Sequence, residues 1–198
     1  MKRTTILLLI CLISGYAWSQ DEVKAKLVEA RTSYQSKDLE ATRFALQQSL
    51  SELDVLVGKE ILKKLPTSVN GMDYIPEEDN VVGSSMGFTG VFVYRFYKND
   101  QSQVEVDLVN DSPLMASLST FLTNPLFNVA DGSRKVIKID GYKAAITRNE
   151  GEGPASYDVQ IPIDQSLYTI KVEGVENEND VIDIAKSMKV GDIANMLK

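Results

Sequence analysis

Apolar residues recur every three to four positions in the part of the chain that follows residue 20. One series runs from Val23 to Tyr34 and a second from Leu39 to Leu65. This spacing is typical of amphipathic helices. Residues 36–38 between the two series supply a turn and a helix cap, and Pro66 ends the second series. The pattern predicts a helical hairpin, with Gly58 as a point at which the second helix can divide.

Beyond a short turn-rich linker at residues 66–71, the apolar period changes to two, the period of β-strands. The first predicted strand is apolar on both faces, which favours a central position in a sheet. Asn99–Asp100 and Asp140–Gly141 are turn sequences, and Asp-Gly is typical of tight hairpins. Pro162 indicates an edge strand or a strand end. The predicted strands are residues 86–97, 103–109, 134–139, 142–148, 157–163 and 167–172.

Two more helices are predicted in the second half of the chain. Pro113 follows capping residues and begins one helix, and residues 179–188 form another, which Gly191 is expected to end. Strands joined by tight turns form antiparallel sheets. The sequence therefore predicts an α+β fold, in which an N-terminal helical hairpin precedes a mostly antiparallel sheet of about six strands with two or three packing helices.

The first nineteen residues have the pattern of a signal peptide. A basic start at Lys2 and Arg3 precedes the apolar run Ile6–Ile13, and Ser19 is the small residue before a cleavage site at Gln20. This run is far shorter than the roughly 20 residues that span a bilayer. We expect cleavage between Ser19 and Gln20. The expected organisation is a signal peptide at 1–19, a helical hairpin at 20–65 and an α+β domain at 66–198.

Charge and composition exclude several kinds of function. Without the signal peptide the chain would keep 19 basic and 28 acidic residues, a net charge of −9. This charge disfavours nucleic acids and anionic membranes. The chain has no histidine, and its one cysteine, Cys11, lies in the predicted signal peptide. Catalytic centres that use histidine or cysteine are therefore excluded, zinc and copper sites are disfavoured, and we expect no cofactor.

Several short motifs taken together resemble a family of exported bacterial proteins to which no activity is assigned. The resemblance covers most of the chain after the signal peptide and implies the α+β fold and export, but it contributes no catalytic residues. The segments that carry it are Leu65–Pro66, Asn70–Gly71, Val93–Tyr97, Asn110–Leu114 and Ile139–Ala144.

An apolar stretch around a glycine-rich loop is the first candidate for a binding site. Met72 and Tyr74 lie before this loop, and Met86 and Phe88 lie within it. Exposed apolar loops often mark ligand or partner surfaces. The alternative is a loop that covers the core.

Acidic clusters are the other candidates. Glu176, Glu178 and Asp180 could provide oxygen ligands for calcium, although their spacing differs from that of an EF-hand. The alternative is the acidic start of the last helix, capped by Asn179 or Asp180. Asp107, Asn110 and Asp111 could hold a hard cation, or the two acids could act as a pair; the alternative is that Asp107 faces solvent and Asp111 caps a helix.

These observations favour an exported soluble protein without enzymatic activity, located in the periplasm or secreted. We expect it to bind a protein or small molecule of the cell envelope, or to serve another envelope role, with no nucleic-acid partner and no membrane span in the mature chain. One alternative is a hydrolase or lyase that uses only Asp and Glu, with two carboxylates in one cleft. The other is a structural module stabilised by calcium.

Overall fold

The computed structural model describes residues 21–84, 90–110, 134–149 and 153–197, together with the helical residues Met115, Leu118, Thr120 and Leu122. The predicted signal peptide, with Ser19 and Gln20, lies outside the described residues. Met86, Phe88 and Asp111 also lie outside them, as does most of the helix predicted after Pro113.

The predicted helical hairpin is present. Helix α1 covers residues 21–35 and helix α2 covers Leu39–Lys64. Asp38 is the N-cap of α2, and its side chain accepts a hydrogen bond of 2.9 Å from the backbone N–H of Ala41. This bond satisfies one of the free donors at the helix start. Pro66 follows directly after the C-cap residue Leu65.

Helix α2 passes through Gly58 without interruption, so the expectation that it divides there was wrong. Gly58 is buried where α2 crosses the sheet. A Cβ atom at this position would overlap the side chain of Val81 and would lie 3.0 Å from Val91 and 3.2 Å from Val93. The missing side chain therefore allows the helix to approach the sheet closely.

The described residues form one antiparallel sheet of nine strands, which confirms the α+β class but exceeds the expected six. The three additional strands contain only two or three residues each, too few to show a period of two. The strands are β1 (Ser68–Val69), β2 (Met72–Tyr74), β3 (Asn80–Val82), β4 (Phe92–Lys98), β5 (Gln103–Asn110), β6 (Arg134–Ile139), β7 (Tyr142–Asn149), β8 (Ser156–Ile163) and β9 (Ser166–Glu173).

The order of strands across the sheet is β1-β2-β4-β5-β9-β8-β7-β6. Both β2 and β3 pair with β4, at opposite ends of that strand. All neighbouring strands are antiparallel, as the tight turns predict. Pro162 lies next to the end of β8, beyond the last β7–β8 pair at Ala145–Gln160, so its missing N–H removes no bond to β7.

The main core lies on one face of the sheet. Ile61 of α2 and its C-cap residue Leu65 pack there together with α3 (Glu178–Ser187) and α4 (Val190–Met196), so the hairpin is joined to the sheet through its second helix. The helical break between α3 and α4 lies at Lys189, whose φ is 56°, and Gly191 lies inside α4. The largest fully buried side chains are Tyr97, Tyr157, Tyr168, Ile61, Met72, Leu108, Ile139, Ile146, Ile161, Ile163, Ile170 and Met188.

A smaller core lies apart from the main one. Leu118 and Leu122 are helical and pack in one buried cluster with Ala145 of β7 and Leu167 of β9. Within the described part of the chain, no helix combines the length and hydrophobicity needed to cross a bilayer.

We predict that Gly58→Ala destabilises the protein, although alanine favours helices over glycine by about 1 kcal/mol. Overpacking a tight core contact costs about 1 to 3 kcal/mol, and Val81 would have to move. Urea unfolding should therefore give a lower free energy of unfolding for this variant. Gly153→Ala is the control, because a Cβ atom there meets no atom within 4 Å. Equal stability of the two variants would contradict the proposed close approach.

Candidate functional site

A cavity of about 410 Å³ lies between the second half of α2 and the β2–β4 edge of the sheet. We call it the α2 cleft. Its walls come from α2, from the segment after that helix, from β2 and β4, and from Asp79, which precedes β3. The lining residues are Leu56, Lys59, Glu60, Leu62, Lys63, Leu65, Thr67, Tyr74, Asp79 and Arg95.

Arg95 forms the inner end of the α2 cleft. It lies in the middle of β4 on the core-facing side, and its side chain is only 6% exposed. Its Nε donates a 2.8 Å hydrogen bond to Oδ1 of Asp79, and its Nη2 donates one of 2.5 Å to Oδ2. A bidentate pair of this kind is both strong and geometrically specific. Asp79 thus neutralises a cation that could not remain buried alone.

The other contacts of Arg95 connect three segments of the chain. Nη1 donates a 3.4 Å hydrogen bond to the carbonyl oxygen of Leu65 at the end of α2. The guanidinium carbon lies 4.3 Å from the ring centroid of Tyr74 on β2, a cation–π distance. Burial acts to lower the pKa of Arg95, but the hydrogen bond and charge of Asp79 raise it overall, so the charge is retained.

Tyr97 stabilises the same region from the core side. Its ring is fully buried, and its hydroxyl donates a 2.9 Å hydrogen bond to the carbonyl oxygen of Pro66. This bond holds the segment after α2 against β4. Burial raises the pKa of Tyr97 to about 12, and the positive charge of Arg95 offsets part of that rise.

The walls of the cleft are apolar and its outer edge is charged. Leu56, Leu62 and Tyr74 are half-buried, whereas Lys59 and Lys63 are exposed. Counting all the lining residues, three basic side chains face two acidic ones. The cleft is therefore locally positive on a chain whose net charge is −7.

The structure separates the residues of the predicted apolar site. Tyr74 lines the α2 cleft, whereas Met72 is fully buried in the main core and not accessible to a ligand. Sequence reasoning missed Arg95. The available signal was an arginine at the centre of a strand that is apolar on both faces, because such a charge needs a buried partner.

Ser84 has a structural role at the base of the glycine-rich loop. Its hydroxyl donates a 2.5 Å hydrogen bond to Oδ2 of Asp54 on α2 and accepts one of 2.7 Å from the backbone N–H of Gly90. These bonds connect the residues on either side of segment 85–89 to each other and to α2.

The acidic residues proposed for calcium occupy the start of α3. The helix cap is Asn177, not Asn179 or Asp180, and its side chain accepts a hydrogen bond from the backbone N–H of Asn179. Glu178 pairs with Lys135 at 2.8 Å. Within the described residues, no group of three or more acidic, histidine or cysteine side chains is arranged to hold a metal.

Asp107 lies on β5 opposite Thr169 of β9, and its neighbours in space are a lysine and a second acid. Lys171 approaches Asp107 to 3.6 Å and Glu105 to 3.4 Å. Burial is the main cause that raises the pKa of Asp107, and Lys171 acts against it. Asp107 is therefore a partly buried acid that forms an ion pair with Lys171.

We predict that Asp79→Ala lowers the free energy of unfolding by about 3 to 5 kcal/mol, because it leaves the buried charge of Arg95 without a partner. The control is the double variant Asp79→Ala/Arg95→Met, which removes both charges and keeps an apolar side chain of similar length. Urea unfolding should show the double variant to be more stable than the single one. The opposite order would show that Asp79 stabilises the fold by some other route.

We also predict that stability falls as the pH rises from 10 to 12. The phenol of an unfolded tyrosine loses its proton near pH 10, whereas folded Tyr97 keeps it to about pH 12. In this interval the folded state binds more protons, so the free energy of unfolding decreases with pH, by about 2 kcal/mol for this residue.

Unfolding of Tyr97→Phe over the same pH interval provides the comparison. The variant loses the hydrogen bond to Pro66 and should be less stable at pH 7, but its stability should fall less steeply above pH 10. Buried Tyr168, whose pKa is also raised by burial, preserves part of the slope. An unchanged slope would exclude Tyr97 as its source.

Comparison with models of known protein families finds none that matches this chain, and comparison with curated proteins finds no relative.

Proposed function

We propose that the protein is exported and binds a small amphipathic molecule with one anionic group in the α2 cleft, without catalysing a reaction. Export is supported by the basic start, the apolar run and the small residues that precede Gln20. Binding is supported by one observation above all, an apolar cleft with a fixed ion pair at its inner end.

The size and lining of the cleft are those of a small-molecule site. Ligand pockets have volumes of about 300 to 1,000 Å³ and apolar walls with a few polar groups held in place. A cavity of about 410 Å³ is large enough for a short alkyl chain or a small ring system. The apolar part of such a ligand would pack against Leu56, Leu62 and Tyr74.

The charge at the outer edge favours an anionic group on the ligand. Arg95 already holds both oxygens of Asp79, so it serves as a rigid inner wall and not as the anion-binding group. The exposed amines of Lys59 and Lys63 lie at the edge of the cleft. Glu60 forms a 2.5 Å ion pair with Lys63, which leaves Lys59 as the preferred contact for an incoming anion.

The two alternative functions have less support. A hydrolase that uses only carboxylates would need an acid and a base in one cleft. Both acids of the α2 cleft, Glu60 and Asp79, form ion pairs with basic neighbours. A calcium module would use the start of α3, where Glu178 pairs with Lys135.

Thermal unfolding in the presence of three probes that carry a ten-carbon chain tests the proposal. A ligand that binds only the folded state stabilises it by about 2.7 kcal/mol at one hundred times its dissociation constant. Decanoate should raise the melting temperature more than decanol, and decyltrimethylammonium should raise it least.

The protein should be purified after export, and its intact mass should correspond to a chain that begins at Gln20.

Two variants test whether an increase in melting temperature comes from binding in the α2 cleft. Thr67→Trp should fill the cavity and abolish the effect of decanoate, and Lys59→Glu should reduce it. Gln165→Trp, in the exposed turn between β8 and β9, is the matched control. Equal shifts for Thr67→Trp and Gln165→Trp would exclude this cleft as the site. A larger shift with the cationic probe would contradict the anionic ligand, and an uncleaved chain would contradict export.

A further inference from the structure

Exposed apolar side chains are concentrated on the helical hairpin. In the part of the chain that the structure describes, eight of the nine large apolar side chains that are exposed lie on α1 or α2, and the ninth is Val82. Single exposed apolar residues need no explanation, but a contiguous group of them usually marks an interface.

On α2 these side chains form a regular stripe. Leu39, Leu46, Leu50 and Leu53 follow each other at intervals of seven, four and three residues, the spacing of a heptad repeat in which Arg43 occupies the position between the first two. Their exposed fractions are 67%, 45%, 58% and 46%. We call these four residues the leucine seam. The next heptad position, Val57, packs against the main core, so the seam ends where α2 meets the sheet.

Helix α1 adds to the same kind of surface. Leu27 and Tyr34 lie seven residues apart and are 49% and 66% exposed. Between them, Ala30 is buried, as are Ala45 and Ser49 on α2. Small side chains are therefore the ones buried in this part of the hairpin, while the large apolar side chains face outward.

We propose that the leucine seam, with Leu27 and Tyr34, is the interface of a homodimer in which it packs against the same surface of a second copy. An interface with twofold symmetry needs a self-complementary patch, and a heptad stripe of leucines meets this requirement. The six side chains expose on the order of 600 Å² per copy, against roughly 800 Å² per partner in a typical stable interface, which the polar flanks of the helices can complete.

The charge of α2 favours a second copy over a lipid surface. Helices that bind membranes carry Lys and Arg on their polar face. The polar positions of α2 near the seam include Glu40, Arg43, Glu52 and Asp54, which are mostly acidic. An acidic chain repels its own copy, so added salt should strengthen the dimer by screening this repulsion.

Sedimentation velocity on the intact purified protein, over a wide range of concentration and at low and high salt, tests the dimer. As the protein concentration increases, the average mass should rise from that of one chain towards that of two. When salt is added, this rise should occur at a lower protein concentration. Leu46→Lys/Leu50→Lys should weaken the association at least about 100-fold, since central apolar contacts dominate binding energy. Circular dichroism should show that this variant remains folded, because both side chains are exposed.

Val28→Lys/Val82→Lys is the matched control, because it replaces two exposed apolar residues outside the seam and adds the same charge. It should dimerise as well as the unaltered protein. Equal weakening of both double variants, or a monomer at every concentration, would overturn the proposal. So would flotation of a monomeric protein with vesicles of phosphatidylethanolamine and phosphatidylglycerol, because the seam would then face lipid.

Discussion

Arg95 is a permanent positive charge on the core-facing side of a sheet, and the surrounding structure has to accommodate it. An unpaired charge in that position would cost several kcal/mol, so the chain must bring Asp79 to it. This requirement orders the segment between β2 and β3, which contains one turn of 3-10 helix at Pro76–Glu78 with Asp79 as its C-cap. The same guanidinium also contacts the end of α2 and the ring of Tyr74. The α2 cleft is thus shaped by the neutralisation of one buried cation.

Much of the fold follows from local patterns in the sequence. Every predicted strand from residue 103 onward is confirmed to within one residue at each end, because period-two patterns and tight turns such as Asp140–Gly141 are local signals. The sequence did not predict β1, β2 and β3, because strands of two or three residues are too short to show an alternation of apolar and polar positions. The packing role of Gly58 was also missed, since the three valines that leave no room for a side chain there are distant in sequence.

The candidate site was predictable only in part, for a related reason. A period of two shows that Met72 and Tyr74 share a face of one strand, but not which layer covers each residue. The end of α2 leaves Tyr74 partly accessible, while Met72 lies fully inside the core. A cleft built from α2, β2, β4 and the Asp79 segment is a property of tertiary packing, and no single segment encodes it.

The position of the last strand has a consequence for the order of folding. β9 lies between β5 and β8, and among the described strands it is the one that joins the β1–β5 half of the sheet to the β6–β8 half. A chain that is synthesised from its N-terminus can form local hairpins early. The two halves of the sheet cannot be joined until residues 166–173 are available to insert between them. Pairing over such long sequence separations is slow. Until residues 166–173 are in place, β5 and β8 each present an unpaired strand edge, so the arrival of β9 decides when the main core can close.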